Sequence, residues 1–355
     1  MAESTSALDL AAVADFQDAL KHAKRIIAVI GAGLSASSGL ATFRSTNGLW
    51  KSQDVMQVAS PAGFRHDPGL VLQFYTYRRH EALRAKPNPA HYALAELARQ
   101  VPGFVALTQN VDNLSHRAGH PPEQLKELHG NLFTLSCSDV IKCGYVERNN
   151  FEECLTPALD PSKDEKETIG SLNPDNKPRA SPLLLAGIAR KHAQILGDSY
   201  QGGTPTSKDL AALKSPEQPT TSSSPVVRLS SGLTKEDLPQ CPQCKDSILR
   251  PAVVWFGESL PVKIVEETEA LFDDPEPIDI CLTIGTSSRV WPAAGYPEMA
   301  RKKGARIAVI NTDAGDANGI QLNRDWVFVG DAAVILPELL KPVIGEPHKW
   351  SQSTV

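Results

Sequence analysis

No apolar run in this chain of 355 residues reaches the roughly 18 residues that cross a bilayer, so the sequence pattern excludes a membrane-spanning helix. Positive charge is not in excess either. The 36 Lys and Arg stand against 41 Asp and Glu, a formal net charge of -5 with a pI near 6.0. That balance argues against a basic nucleic-acid-binding face and makes small molecules or protein segments the expected partners. The opening stretch MAESTSALDLAAVADFQDAL carries Glu3, Asp9, Asp15 and Asp18 with no early Lys or Arg, which suits neither a secretory signal nor an Arg-rich transit peptide. Cytoplasm is the compartment expected, with mitochondrion and nucleus as alternatives. Cysteine is sparse, six in all. In a reducing compartment, closely spaced cysteines more often bind metal or do redox chemistry than form disulfides.

What is present is a globular composition, 41% hydrophobic, long enough for one large core plus an accessory module or for two domains. Short apolar runs that end abruptly in small or polar residues recur: RIIAVIGAG, GFVALTQNVD, DICLTIGTSS and ARIAVINTD. Each reads as a strand buried on both faces of a parallel sheet and followed by a functional loop. Helical patterns lie between them, as in Pro89 to Val101 and Ala293 to Gly304, and DWVFVGDAAVILPELLK reads as a closing strand and helix. The alternation predicts an α/β fold, a doubly wound, Rossmann-like parallel sheet with ligands at the carboxyl ends of its strands. The expected division is a helical extension over 1–24, a discontinuous nucleotide-binding domain over 25–135 and 248–345, and a smaller inserted domain over 136–247. Part of 45–88 is expected to form a helical subdomain for cofactor and substrate, and 346–355 a tail. Within the inserted domain, residues about 161–237 are rich in Ser, Pro, Thr, Gly and Lys and are expected to be largely disordered.

In AVIGAGLSASSGLATFR, Gly31 and Gly33 follow the first strand. They permit a tight turn and a close backbone approach to pyrophosphate, or serve only as packing glycines. No acidic residue clearly ends a second strand some 20 positions on, which makes a hydride-transfer domain a poor reading. TQNVDNL places Gln109, Asn110 and Asp112 at a strand end, where carboxamide and carboxylate can meet an amide-bearing ligand, or where they simply form a turn. His129, in ELHGNLF, is a candidate general base or a structural histidine. Cys241 and Cys244 in CPQC have the spacing of half a tetrahedral thiolate site. Their partners would be Cys137 and Cys143, five residues apart rather than the usual two to four, with Cys154 as a spare ligand; Cys281, inside an apolar run, reads as a buried small hydrophobe. Tyr75 and Arg78 sit three apart on a helical pattern. They share a face that can grip a carboxylate, or they are a packed ring beside a solvated cation.

Taken in order, GAGLSASSGLATFR, TQNVD, LHGNLF, the paired cysteines, VVWFGE, GTSS and INTD resemble the sirtuin family from about Arg25 to Leu340. The resemblance implies an NAD-consuming protein-lysine deacylase with a large nucleotide-binding domain, a small structural-zinc domain held by Cys137, Cys143, Cys241 and Cys244, and a cleft for acyl-lysine protein substrates. It implies that Gly31, Ala32, Gly33, Ser35, Phe43 and Arg44 wrap the pyrophosphate and nicotinamide ribose. Gln109, Asn110 and Asp112 would line the nicotinamide pocket. Gly285, Thr286, Ser287, Asn311, Thr312 and Ala332 would meet the adenosine side. The acyl oxygen would attack the anomeric carbon as nicotinamide leaves, His129 would act as base on the ribose hydroxyls with Asn110 beside it, and water would complete acyl transfer to ADP-ribose. Val254, Trp255, Phe256 and Gly257 would pair with the substrate backbone as an added strand.

FYTYRR is similar to the class III motif, whose residues matching Tyr75 and Arg78 bind the carboxylate of malonyl, succinyl or glutaryl groups. Deacetylation and mono-ADP-ribosylation are the alternative activities, and a non-catalytic NAD scaffold a third; no oligomer is required. Ser37 stands where the family usually has Glu, and Ala41 and Thr42 stand where it has Pro and often Asp.

Overall fold

The apolar runs fold as strands because branched residues alternate between two faces that are both covered. Along β1 (Arg25–Ile30), Ile26, Ala28 and Ile30 join one core while Ile27 and Val29 join another. This computed structural model describes residues 9–42, 49–50, 53–160, 231–316, 319–321 and 323–346. Phe43 and Arg44 therefore lie outside the described residues, as does most of the Ser- and Pro-rich stretch expected to be disordered. The described end of that stretch is ordered: the Ser231 hydroxyl donates to Asp67 at 2.6 Å, and Thr234 and Asp237 cap a short turn.

The first helix is α1 (Leu10–His22), whose N-terminus is capped by Asp9. After β1 come β2 (Leu49–Trp50), β3 (Gln53–Asp54), α2 (Val55–Val58), α3 (Pro61–His66), α4 (Pro68–Arg84) and α5 (Pro89–Gln100). Next are β4 (Gly103–Thr108), α6 (Leu114–Arg117), β5 (Leu125–Glu127), β6 (Gly130–Cys137), β7 (Val146–Glu147) and β8 (Leu249–Val253). The chain continues with α7 (Val262–Asp273), β9 (Ile280–Ile284), α8 (Tyr296–Lys302), β10 (Arg306–Asn311), β11 (Trp326–Val329) and α9 (Ala332–Ile344).

Six parallel strands make the main sheet in the order β11-β10-β9-β1-β4-β5. Residues of α1, α5 and α9 cover one face, with Phe16 edge-on to Trp326 at 5.1 Å, and residues of α7 and α8 cover the other. This is the expected doubly wound α/β arrangement. Its order reverses between β1 and β9, which puts a crevice at their carboxyl ends.

A second sheet, β7-β6-β8, is antiparallel. It links two centres, since β6 starts immediately after His129 and ends at Cys137. Where α2, α3 and α4 meet this sheet, Val71, Phe74, Tyr75, Leu132, Phe133 and Trp255 share a core. Arg79 is fully buried there, donating to the carbonyls of Leu132, Asn150 and Glu152 and to the Asn150 side chain. Those acceptors are what make a buried guanidinium tolerable.

Candidate active site

The switch-point crevice is closed by backbone. Gly31 N–H donates to the Ile284 carbonyl at 2.9 Å, and Gly33 N–H donates to Gly285 O at 2.8 Å. A Cβ at Gly31 would lie 2.7 Å from that same oxygen, and one at Gly33 would lie 2.6 Å from the Gly285 Cα. Gly285 itself has φ of 57°. The glycines are thus required by the meeting of two loops. Ala32 opens a short 3-10 turn, Ala32–Ser38, that carries Ser35 into the interior.

Ser35 is the hub of a buried polar network. Its hydroxyl donates to Asp112 Oδ2 at 2.6 Å and accepts from Asn110 Nδ2 at 3.2 Å, with His91 Nε2 3.4 Å away. Asn88 N–H donates to His91 Nδ1 at 3.2 Å, so the ring proton is assigned to Nε2, facing Ser35. Burial pushes His91 down to about 4, against the opposing pull of Asp112, and keeps it neutral. Asp112 is anchored in turn by Leu114 N–H at 2.9 Å. On the far side of the crevice, Gln109 Nε2 donates to Thr286 Oγ1 at 3.1 Å, and Asn311 Nδ2 donates to Thr286 O at 2.9 Å. Thr312 is exposed beyond Asn311, Ser287 is half-buried after Thr286, and buried Ala332 begins α9. Ser37, in the place of the family's usual Glu, donates to Asp331, the residue that caps α9.

His129 is half-buried with Nδ1 3.2 Å from the Gln109 carbonyl. A carbonyl only accepts, so the neutral ring carries its proton on Nδ1 and its lone pair on Nε2. Burial lowers the imidazole's pKa, and the Gln109 carbonyl acts in the opposite sense. The backbone ties this residue to the next segment: Val254 N–H donates to the His129 carbonyl at 2.9 Å, and Phe256 N–H to Ala59 O at 2.9 Å. Trp255 N–H goes to Glu258. The first three N–H groups of the loop expected to pair with substrate are therefore already engaged, and Gly257 follows with φ of 88°.

The cysteine prediction is met. The sulfurs of Cys137, Cys143, Cys241 and Cys244 lie within 4.8 Å of one another. Cys137 and Cys244 are 3.8 Å apart, and Cys143 and Cys241 are 3.7 Å apart. Those separations are far too long for disulfides. They fit the edge of a tetrahedron about an ion with Zn–S bonds of about 2.3 Å, whose edge is about 3.8 Å. The wide Cys137–Cys143 spacing is absorbed by a turn in which Cys143 N–H donates to Asp139 O at 2.9 Å. Cys154, the spare candidate, lies outside the cluster and donates to Thr156 O. Cys281 is buried in β9, and burial pushes its thiol up to about 12.

Tyr75 and Arg78 do share α4, but they meet different surroundings. Tyr75 is 5% exposed and packs against Phe74 and Trp255, whereas Arg78 is half-buried and donates to the Ala41 carbonyl at 3.3 Å. Arg78 lines a cavity of about 380 Å³ with Gly39, Leu40, Ala41, Thr42, Tyr77 and the acidic Glu81. Among the described residues no carboxylate pairs with it. The guanidinium still lies within electrostatic reach of the Tyr75 phenol, whose pKa burial raises and Arg250 and Arg78 lower in part.

Sequence reasoning missed Asn88, His91, Arg250 and Glu258. The Asn-Pro start of α5 was a usable signal for the first two, because it marks a capped helix whose third residue folds back on the cap.

The Sir2 family model matches residues 31–169 and 218–292. The chain is similar to an NAD-dependent protein deacylase of Candida albicans, 42% identical over 336 residues, which are 94% of this chain and 98% of that protein. It is similar to NAD-dependent protein deacylase sirtuin-5, mitochondrial, of Danio rerio, 33% identical over 92% of this chain and 85% of that protein. Among solved structures, a Sir2 homologue in complex with NAD matches with a TM-score of 0.62 and 26% identity, covering 93% of each chain. Similarity of this extent, in sequence and in fold alike, shows that the chain belongs to the Sir2 family.

Proposed function

We propose that this chain is an NAD-dependent protein-lysine deacylase that removes succinyl, malonyl or glutaryl groups, giving nicotinamide, O-acyl-ADP-ribose and free lysine. The observation that carries the acidic preference is Arg78, a half-buried cation that lines a cavity and, among the described residues, is held in no ion pair, although Glu81 lines the same cavity. An acyl carboxylate satisfies that cation through charge-assisted hydrogen bonds; an acetyl group leaves it with the Ala41 carbonyl and water. Tyr75, three residues earlier on α4, would supply the phenol of the pair.

The crevice fits NAD through its glycine-tight loops and through convergent amides and hydroxyls at Gln109, Asn110, Thr286 and Asn311. When bound, NAD supplies the electrophilic ribose carbon and the departing nicotinamide. Asn110 and Asp112, fixed by Ser35, present donor and acceptor to a carboxamide. His129 takes a proton at Nε2 from a sugar hydroxyl, and the Gln109 carbonyl steadies the imidazolium that results. Thr286, Ser287, Asn311, Thr312 and Ala332 serve the adenosine side, with Gly31 to Ser35 at the pyrophosphate. Cys137, Cys143, Cys241 and Cys244 would hold a zinc ion in a structural role, tying the end of β6 to the segment that leads into β8. The compartment follows the cytoplasmic expectation, and cell fractionation tests it.

Mass spectrometry after incubation with NAD and a succinyl-lysine peptide tests the reading. Free lysine peptide together with acyl-ADP-ribose is the expected result. A mass gain of ADP-ribose on protein, or unchanged NAD, contradicts it.

A further inference from the structure

Arg250 does not bond to His129, Asn110 or Asp112, yet it is among the most heavily engaged side chains near the cleft. It leaves β8 and forms a two-pronged ion pair with Glu258, Nη1 to Oε1 at 2.7 Å and Nη2 to Oε2 at 3.0 Å. Nη2 also donates to the Val253 carbonyl at 2.7 Å. The side chains of Arg250 and Glu258 are only 13% and 26% exposed, so water screens the pair weakly. Glu258 Oε2 accepts in addition from Trp255 N–H at 2.8 Å. The two residues thus close the loop 254–257 at both ends and hold its second residue by the backbone.

The same guanidinium stacks on that residue's ring, with Cζ 3.1 Å from the centre of Trp255. Trp255 is 3% exposed and shares a core with Phe74 and Tyr75 of α4. Its indole lies 6.2 Å from the Tyr75 ring, centre to centre and tilted by 22°, and 4.8 Å from that of Phe64. A continuous path therefore runs from the Glu258–Arg250 pair through the indole to Tyr75, three residues before Arg78 on α4. An apolar side chain at position 250 would leave the indole in place only by packing against Phe64 and Tyr75, and Glu258 would lose its cation.

We infer that Arg250, with Glu258, is a positioning residue for acyl selectivity: the pair clamps the Val254–Gly257 loop so that the Trp255 indole holds Tyr75 in register with Arg78 for an acyl carboxylate. This rests on the acidic-acyl reading above. It differs from that reading in placing part of the discrimination on residues that never touch the acyl group.

The test is steady-state kinetics on succinyl-lysine and acetyl-lysine forms of one peptide, for the wild type and for Arg78→Met, Arg250→Met, Arg250→Lys and Glu258→Gln. Arg250→Met is expected to raise the succinyl KM about tenfold, with the acetyl KM moving by less than about threefold and kcat little changed. Glu258→Gln shifts the same ratio in the same direction. Arg250→Lys recovers part of it, because an ammonium keeps the charge and loses the fork. A purely structural role moves both peptides equally and overturns the inference. So does a wild type that prefers succinyl, with Arg78→Met abolishing the preference and both Arg250→Met and Glu258→Gln preserving it; that outcome leaves the acidic-acyl reading standing. A wild type with no preference for succinyl overturns both. If Arg250→Met does not fold, Arg250→Lys and Glu258→Gln are judged by the same ratio.

Discussion

The two sides of the cleft are built from different materials. On the cofactor side, backbone meets backbone: Gly31, Gly33 and Gly285 approach so closely that a single added methyl group has nowhere to go. On the acyl side, side chains from separate segments meet instead, Tyr75 and Arg78 from α4, and Trp255 and Arg250 from β8 and its loop. A site made of backbone contacts is all-or-none under substitution, since any Cβ forces two loops apart. A site made of side chains can be graded, and its selectivity can change while the proton chemistry next to it survives. NAD cleavage and acyl choice are therefore separable by mutation.

The largest effect belongs to the chemistry shared by every acyl group. His129→Ala removes the only lone pair assigned to the ribose hydroxyls. It is expected to lower kcat for succinyl and acetyl peptides alike by roughly 10²–10⁴-fold, with the melting temperature little changed, as read by parallel kinetics and thermal melts. The pH profile sharpens the assignment. The working form is the neutral ring, and burial sets its pKa below the ordinary 6.5. As the pH falls, kcat/KM is expected to hold through 6.5 and to decline only below it, when Nε2 takes up a proton before substrate can offer one. An acid limb centred at or above 6.5 contradicts the geometry.

Removing the metal comes next, and it breaks the comparison from behind. Strand β6 carries His129 just before its first residue and Cys137 at its last, so the cysteine cluster and the base share one rigid element. Chelation is expected to cost activity on both peptides together and to lower the melting temperature. Added zinc should restore both. Loss of acyl selectivity with retained turnover would show that the cluster acts on the acyl side alone.

Much of the cofactor side was legible because its signal is local. Strands buried on both faces announce themselves as short apolar runs, and the residues that matter follow each run directly, as Gly31 follows Ile30 and Gln109 and Asn110 follow Thr108. The four cysteines were legible too, since soft ligands converge whatever their spacing, and a single turn at Asp139 accommodates the wide pair. The acyl side was legible only in part. Helical spacing puts Tyr75 and Arg78 three residues apart on one helix, but it carries no information on which of them faces Trp255, 180 residues away. Arg250 and Glu258 escaped for the same reason: an arginine at the start of a strand and a glutamate after a glycine read as ordinary surface until the loop closes them together. His91 escaped because its partner Ser35 lies 56 residues earlier, and only the fold joins them.

The most direct measurement is the ratio of kcat/KM on succinyl-lysine to that on acetyl-lysine, in the wild type and in Arg78→Met. A charge-assisted pair between a carboxylate and a guanidinium that among the described residues makes no ion pair predicts a wild-type ratio well above one, which Arg78→Met reduces by about 10- to 100-fold with little loss on acetyl-lysine. A wild-type ratio near one, or equal losses on both peptides in the variant, would contradict it.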